Sequence, residues 1–186
     1  METKKPLLRP HATYKVVLKT PLAKQLYGVA VGMANALSKL GLAVRNSLPP
    51  DQAKQAAALA FEILATLQNA LEADQTVAAG QTGPMVTQFP TVLRRELKVC
   101  HANSVKVMSL LADLDKLAGC WYDQWFLGRL SQEELDQKQA DWRKRFRRAS
   151  QQVNNLMQRY LGGQSGQETH RPSANQASLH YVHTKR

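Results

Sequence analysis

The sequence predicts a mainly α-helical protein carrying a short β-ribbon, and three observations lead there. Apolar residues recur at helical spacing in four long stretches. Two short segments instead alternate apolar and polar residues, as half-buried strands do. Breaks rich in Gly, Pro and Gln separate these periodic segments. With 186 residues, 44% of them hydrophobic and 21% charged, the chain can bury a genuine core as one domain or a tight pair. That composition excludes a wholly disordered chain.

Residues 12–20 read as a strand, with Tyr14, Val16 and Leu18 on one face and Thr13, Lys15, Val17 and Lys19 on the other. Thr20-Pro21 then reads as an N-cap followed by proline at the first helical position, where a missing N–H costs nothing. Leu22, Leu26, Val29, Met33, Leu37 and Leu40 form the apolar stripe of that helix. Gly28, Gly32 and Ala36 form a second, small-residue edge suited to close approach of another helix. Gly41 is a plausible stop. A second helix starts near Pro50-Asp51, with Leu59, Ile63, Leu67 and Leu71 repeating every four residues. Residues 74–90 break the pattern and read as a linker or long loop.

Thr91–Cys100 supports a second strand, with Leu97 and Val99 on one face and Arg94, Glu96 and Lys98 on the other. Arg95 falls on the apolar face, so a short helix is the competing reading. Asn103 or Ser104 can cap a helix whose stripe is Val107, Leu110, Leu114, Leu117, Trp121 and Trp125, ending at Gly128. Ser131 through Glu134 make a capping box. The final helix carries Leu135, Trp142, Phe146, Ala149, Val153, Leu156 and Tyr160 at core spacing and ends at Gly162-Gly163. The expected organisation is therefore a basic arm (1–11), a strand–helix–helix unit (12–73), the linker (74–90), a second strand–helix–helix unit (91–161) and a disordered tail (162–186).

Net charge is +11, which favours a polyanionic partner, nucleic acid ahead of a membrane surface. The surplus collects at two places. Residues 1–24 carry six Lys/Arg against one acid, and residues 131–160 seven against four. No apolar run approaches the roughly 18 residues of a membrane span, and the opening residues lack a secretory signal pattern. Cys100 and Cys120 are too few for a disulfide scaffold or a four-ligand zinc site, so a cytoplasmic setting is expected, with both thiols packing as small hydrophobes.

A lone strand cannot satisfy its own backbone groups, so 12–20 must pair either with 91–100 or with a second chain. A two-stranded ribbon fits the DNA major groove, which makes Lys15, Val17 and Lys19 candidate base contacts, joined by Arg94 and Lys98. The same pattern also serves an edge strand guarded by outward lysines. Lys4, Lys5, Arg9, Arg143, Lys144, Arg147 and Arg148 are candidate phosphate contacts, although the cations of 143–148 spread widely around their helix and suit a solvated face equally. Trp121, Trp125, Trp142 and Phe146 belong to the core or a dimer interface. Asp113, Asp115 and Asp123 lie among lysines and read as surface pairs. For catalysis, no Gly-rich phosphate loop, nucleophile elbow or paired metal-binding histidine helix is present, and His180 and His183 lack further ligands. No enzyme activity, cofactor, metal or small-molecule substrate is expected.

The segment Tyr14–Pro21 resembles the start of ribbon-helix-helix DNA-binding proteins, in which two protomers build the ribbon. Two further stretches look like AcaB-type transcriptional regulators of conjugative plasmids and integrative elements. These are Arg95–Ser104, and Leu110–Asp115 through Trp121, Gly128 and Ser131 to Arg143–Arg148. The resemblance spans residues 10–160. It implies a homodimeric, sequence-specific regulator of conjugative-transfer genes, acting on promoter or operator DNA without enzymatic activity. A helical RNA-binding protein or RNA chaperone, and an adaptor of a conjugation or secretion assembly docking an acidic protein, are the alternatives.

Overall fold

The computed structural model describes residues 12–79 and 87–162. The elements run β1 (Ala12–Leu18), α1 (Pro21–Asn46), α2 (Pro50–Ala79), β2 (Leu93–Val99), α3 (Ala102–Phe126) and α4 (Gln132–Leu161). Thr20 caps α1 as its spelling requires, its side chain accepting the Ala23 amide hydrogen at 3.3 Å. The capping box of α4 is complete, with Ser131 N–H donating to Glu134 at 2.8 Å and Glu134 N–H to Ser131 Oγ at 3.1 Å. Gly128, at φ +67°, closes α3, and the Arg129 amide reaches back to the Gln124 carbonyl at 2.8 Å.

The helices form a four-sided bundle. α1 packs against α3 and α4, and α2 packs against the same two helices from across the bundle. Leu22, Leu26, Met33, Leu37 and Leu40 of α1 meet Val107, Leu110, Leu114 and Trp121 of α3 and Trp142, Phe146 and Val153 of α4 in one continuous core. β1 and β2 pair antiparallel, with Thr13 opposite Lys98, Lys15 opposite Glu96 and Val17 opposite Arg94. The ribbon lies on the α1/α3 side, its inner face of Tyr14, Val16 and Leu18 packed on the bundle.

These contacts overturn the ribbon-helix-helix expectation and the repeat of such units. The two strands make one ribbon within one chain, whereas a ribbon-helix-helix ribbon needs two protomers. Helices of 25 to 30 residues carry apolar stripes too long for one short neighbour to cover. Each half therefore packs chiefly on the helices of the other, and the halves share one sheet and one core.

Several local expectations also need correction. α1 passes through Gly41 without stopping, and the glycine serves close packing instead, since a Cβ there would run into the His101 ring. His101, not Asn103 or Ser104, caps α3, its Nδ1 accepting the Asn103 amide hydrogen at 3.2 Å. Ser104 is buried and donates to the Ala34 carbonyl at 2.7 Å. α2 continues to Ala79, beyond the start of the expected linker. Gly28 and Gly32 face open space among the described residues, so no described helix closes on that edge there, and only Ala36 of the three is packed in the core. Among the described residues, α1 alone is long and apolar enough by composition to cross a membrane, contrary to the reading of the apolar runs, but its leucine stripe is buried in the core. Cys100 is exposed and Cys120 half-buried, where burial and the Asp123 carboxylate push the thiol pKa up.

Candidate nucleic-acid interface

The outward face of the ribbon carries Thr13, Lys15 and Val17 from β1 and Arg94, Glu96 and Lys98 from β2, all exposed. Alternation places them there, because their inward neighbours Val16, Leu18 and Val99 are buried. Lys15 Nζ and a Glu96 carboxylate oxygen stand 4.0 Å apart, with both side chains mostly exposed. An exposed pair at that distance contributes little and exchanges easily. Lys15, Val17, Arg94, Arg95 and Glu96 rim a shallow hollow of about 380 Å³ on this face. Val17 is 48% exposed, a large apolar area to leave in water on an otherwise polar face.

Lys19 differs from its neighbours because it sits where the strand is anchored. Its amide donates to both carboxylate oxygens of Asp115, at 3.1 and 2.9 Å. The Thr20 amide and hydroxyl each donate to Asp115 Oδ1 at 2.7 Å. Asp115 is thus buried and fully engaged, correcting its reading as a surface partner; only Asp113, bonded to Lys116 at 2.8 Å, behaves that way. Asp123 accepts the Thr87 amide hydrogen at 2.6 Å. Arg95 lies opposite Val16 in the inward register, yet its side chain is exposed and its Nη1 donates to the Arg94 carbonyl at 3.3 Å. An arginine can occupy such a position by laying its stem along the apolar surface.

The cations of α4 divide between two sides. Arg143 turns toward α1, where its Nε donates to Gln25 Oε1 at 3.0 Å, and Arg147 follows four residues on along the same flank. Lys144 points outward between the flanks and is exposed. Arg145 stacks over Trp142 at 5.2 Å and, with Arg148, borders a cavity toward α2. One continuous phosphate track along α4 is therefore absent. Lys4, Lys5 and Arg9 lie outside the described residues, as do residues 80–86 of the expected linker and the tail from Gly163 onward.

Trp121 and Trp142 are 2% exposed and Phe146 is fully buried, so these three are core residues of one chain and cannot form a dimer interface. Trp125 is half-buried, edge-on to the exposed Phe126 with ring centroids 4.8 Å apart. Two site residues escaped the sequence reading. Glu96 shares the alternation that singles out Arg94 and Lys98 and stands on the same outer face. Asp115 carried no usable signal, because its partners lie 95 and 96 positions away.

No protein-family model and no curated protein sequence matches the chain. The fold nevertheless matches a solved structure, that of selenomethionine-containing AcaB from uropathogenic E. coli. The TM-score is 0.78 over 84% of each chain, at 13% sequence identity. The chain thus has an AcaB-like fold.

Proposed function

We propose that this chain is a sequence-specific, non-enzymatic DNA-binding regulator whose intramolecular ribbon enters the major groove. The observation that carries the reading is the exposed outer face, three cross-strand pairs presenting Thr13 and Lys98, Lys15 and Glu96, Val17 and Arg94. A two-stranded ribbon fits a groove about 12 Å wide. Arg94, Lys15 and Lys98 supply donors for guanine O6 and N7, Glu96 an acceptor for the cytosine amino group, and Val17 with the Thr13 methyl a surface for thymine methyls. Lys19 adds a donor at the anchored end. Arg143, Lys144 and Arg147, with Lys4, Lys5 and Arg9, supply phosphate contacts that orient the protein. The AcaB-like fold and the resemblance of its sequence to regulators of conjugative plasmids support promoters of conjugative-transfer genes as the targets.

Selection of bound fragments from a random duplex pool tests this. A recurring motif, abolished by the double substitution Lys15→Ala and Lys98→Ala in a protein of unchanged helicity, is the expected result. A palindromic motif would add that two chains bind as a dimer. Absence of any motif, or tighter binding to structured RNA at the same salt, refutes the reading.

A further inference from the structure

The face of the bundle opposite the ribbon carries a second surface of different chemistry. The ribbon rests on α1 and α3, and the far side is the seam between α2 and α4. Two clasps fix the ends of that seam. Trp142 Nε1 donates to Asp74 at 2.8 Å, and the Tyr160 hydroxyl donates to Gln55 at 2.8 Å. From Trp142 to Tyr160, α4 rises about 27 Å from one clasp to the other.

Between the clasps the helices do not close. Two adjoining cavities of about 380 and 560 Å³ share Ile63, Thr66, Arg148 and Gln152. The cause lies in α2, whose closest-packed residues include the small Ala56 and Ala60, which leaves the stripe residues Leu59 and Ile63 only half covered. Among the described residues, the apolar stripe of α2 is thus partly uncovered. Arg145, Arg148 and Arg159 line the α4 wall, and among the described residues none of these guanidinium groups is paired with a carboxylate. Glu62 stands on the α2 wall, and Asp74 there is engaged by the Trp142 indole.

We propose that this groove docks an acidic amphipathic helix of a partner protein. Its apolar stripe would cover Leu59 and Ile63, and carboxylates along one flank would pair with Arg145, Arg148 and Arg159 as charge-assisted hydrogen bonds. Charge complementarity selects this occupant, because the α4 wall offers guanidinium and amide groups and no acid. A nucleic acid would pair with the arginines but leave the apolar floor unmatched. A second copy of the chain, at net charge +11, is a poor counterpart for an arginine-lined wall. Because ribbon and groove occupy opposite faces, duplex DNA and the helix can bind together, and this inference stands whether or not the ribbon reads DNA.

A displayed library of helix-forming 18-residue peptides, selected on the full chain, tests it. Enriched peptides should combine apolar residues at helical spacing with Asp or Glu on one flank. Their affinity, read by fluorescence anisotropy, should fall at least tenfold in Arg148→Glu/Arg159→Glu while circular dichroism is unchanged. Exchanging the peptide acids for lysine should restore binding to that variant and abolish it with the parent protein. Failure to enrich any peptide, or enrichment of basic or unpatterned ones, overturns the proposal. So does competition by duplex DNA for the peptide site, which would assign the groove to nucleic acid. Conversion of a dimer to a monomer by Ile63→Glu in sedimentation would assign it to a second copy.

Discussion

Thr20 and Asp115, 95 positions apart, are joined by two 2.7 Å hydrogen bonds, from the Thr20 amide and hydroxyl to one carboxylate oxygen. The Lys19 amide adds two more, so a single buried side chain of α3 ends β1, starts α1 and fixes where the ribbon meets the bundle. Replacing Asp115 by Ala leaves two amides and a hydroxyl without their acceptor. The expected loss is about 2–4 kcal/mol, the range for stranding buried polar groups that a charged acceptor had satisfied. Urea denaturation measures it, and a loss under about 1 kcal/mol would mean that water replaces the carboxylate.

His101 gives the fold a pH dependence of defined sign. Burial, reinforced by the nearby Arg45 charge, lowers its pKa from the ordinary 6.5. Only the neutral ring can accept the Asn103 amide hydrogen at Nδ1 and so cap α3. The folded chain holds this proton less readily than the unfolded one. The stabilisation is therefore complete above the unfolded pKa and is lost as pH falls through the lowered folded value. The urea midpoint should fall on acidification below pH 6.5, and His101→Asn, which keeps a capping acceptor but cannot titrate there, should flatten that slope. An identical slope in the variant would place the effect elsewhere.

Gly41→Ala probes the same junction from the α1 side. A methyl group at Gly41 meets the His101 ring, so the ring must leave its place or the helices must separate. A cost of about 1–3 kcal/mol is expected from overpacking, in spite of alanine's better helix propensity. Loss of the His101 pH slope in this variant, followed by the same denaturation series, would show that the ring had been displaced from its cap.

Much of this architecture was legible because it is local. The alternation of Tyr14, Val16 and Leu18, the Thr20-Pro21 start, the Ser131–Glu134 box and the seven core positions of α4 from Leu135 to Tyr160 all follow from spacing within one or two turns. What spacing could not convey was which element meets which. The outer ribbon face was legible residue by residue, and spacing offered 91–100 or a second chain as its partner, but neither the choice between them nor the register that sets Val17 opposite Arg94 was legible. The same limit hid Asp115, which looks like a surface acid among Asp113 and Lys116 until Thr20 is brought against it. It also hid the α2/α4 groove, because Leu59 and Ile63 continue the stripe of Leu67 and Leu71 without any sign that their partners fall short.

Gly28 and Gly32 separate spacing from packing directly. Their periodicity with Ala36 suggests close approach of another helix, whereas a Cβ at either site meets nothing within 4 Å. Gly28→Ala and Gly32→Ala should each stabilise the chain by about 0.5–1 kcal/mol, through helix propensity and a less flexible unfolded state. Thermal denaturation of the two variants decides the matter. Destabilisation by either would mean that a partner surface closes on this edge.

The ribbon makes the sharpest claim, because its residues should differ in kind and not only in strength. Lys15 and Lys98 belong to different cross-strand pairs on the exposed face, and Glu96 stands at 4.0 Å from Lys15. If Lys15 and Lys98 read bases, alanine at either site should cut the preference for a selected site over random duplex by about 1–3 kcal/mol and relax the motif at one position. If they touch phosphate alone, both affinities fall together and the slope of log affinity against log salt shrinks by about 0.9 per lysine. Arg147→Ala, on the α1 flank of α4, should follow the phosphate pattern. Glu96→Gln removes the one repulsive charge on the face, so random-duplex affinity should rise while discrimination at one base pair falls by about 1–3 kcal/mol. Binding titrations of these variants at several salt concentrations separate the outcomes. If Glu96→Gln strengthens binding to selected and random DNA equally, Glu96 repels the backbone without reading a base, and the ribbon's specificity must rest on Lys15, Arg94 and Lys98.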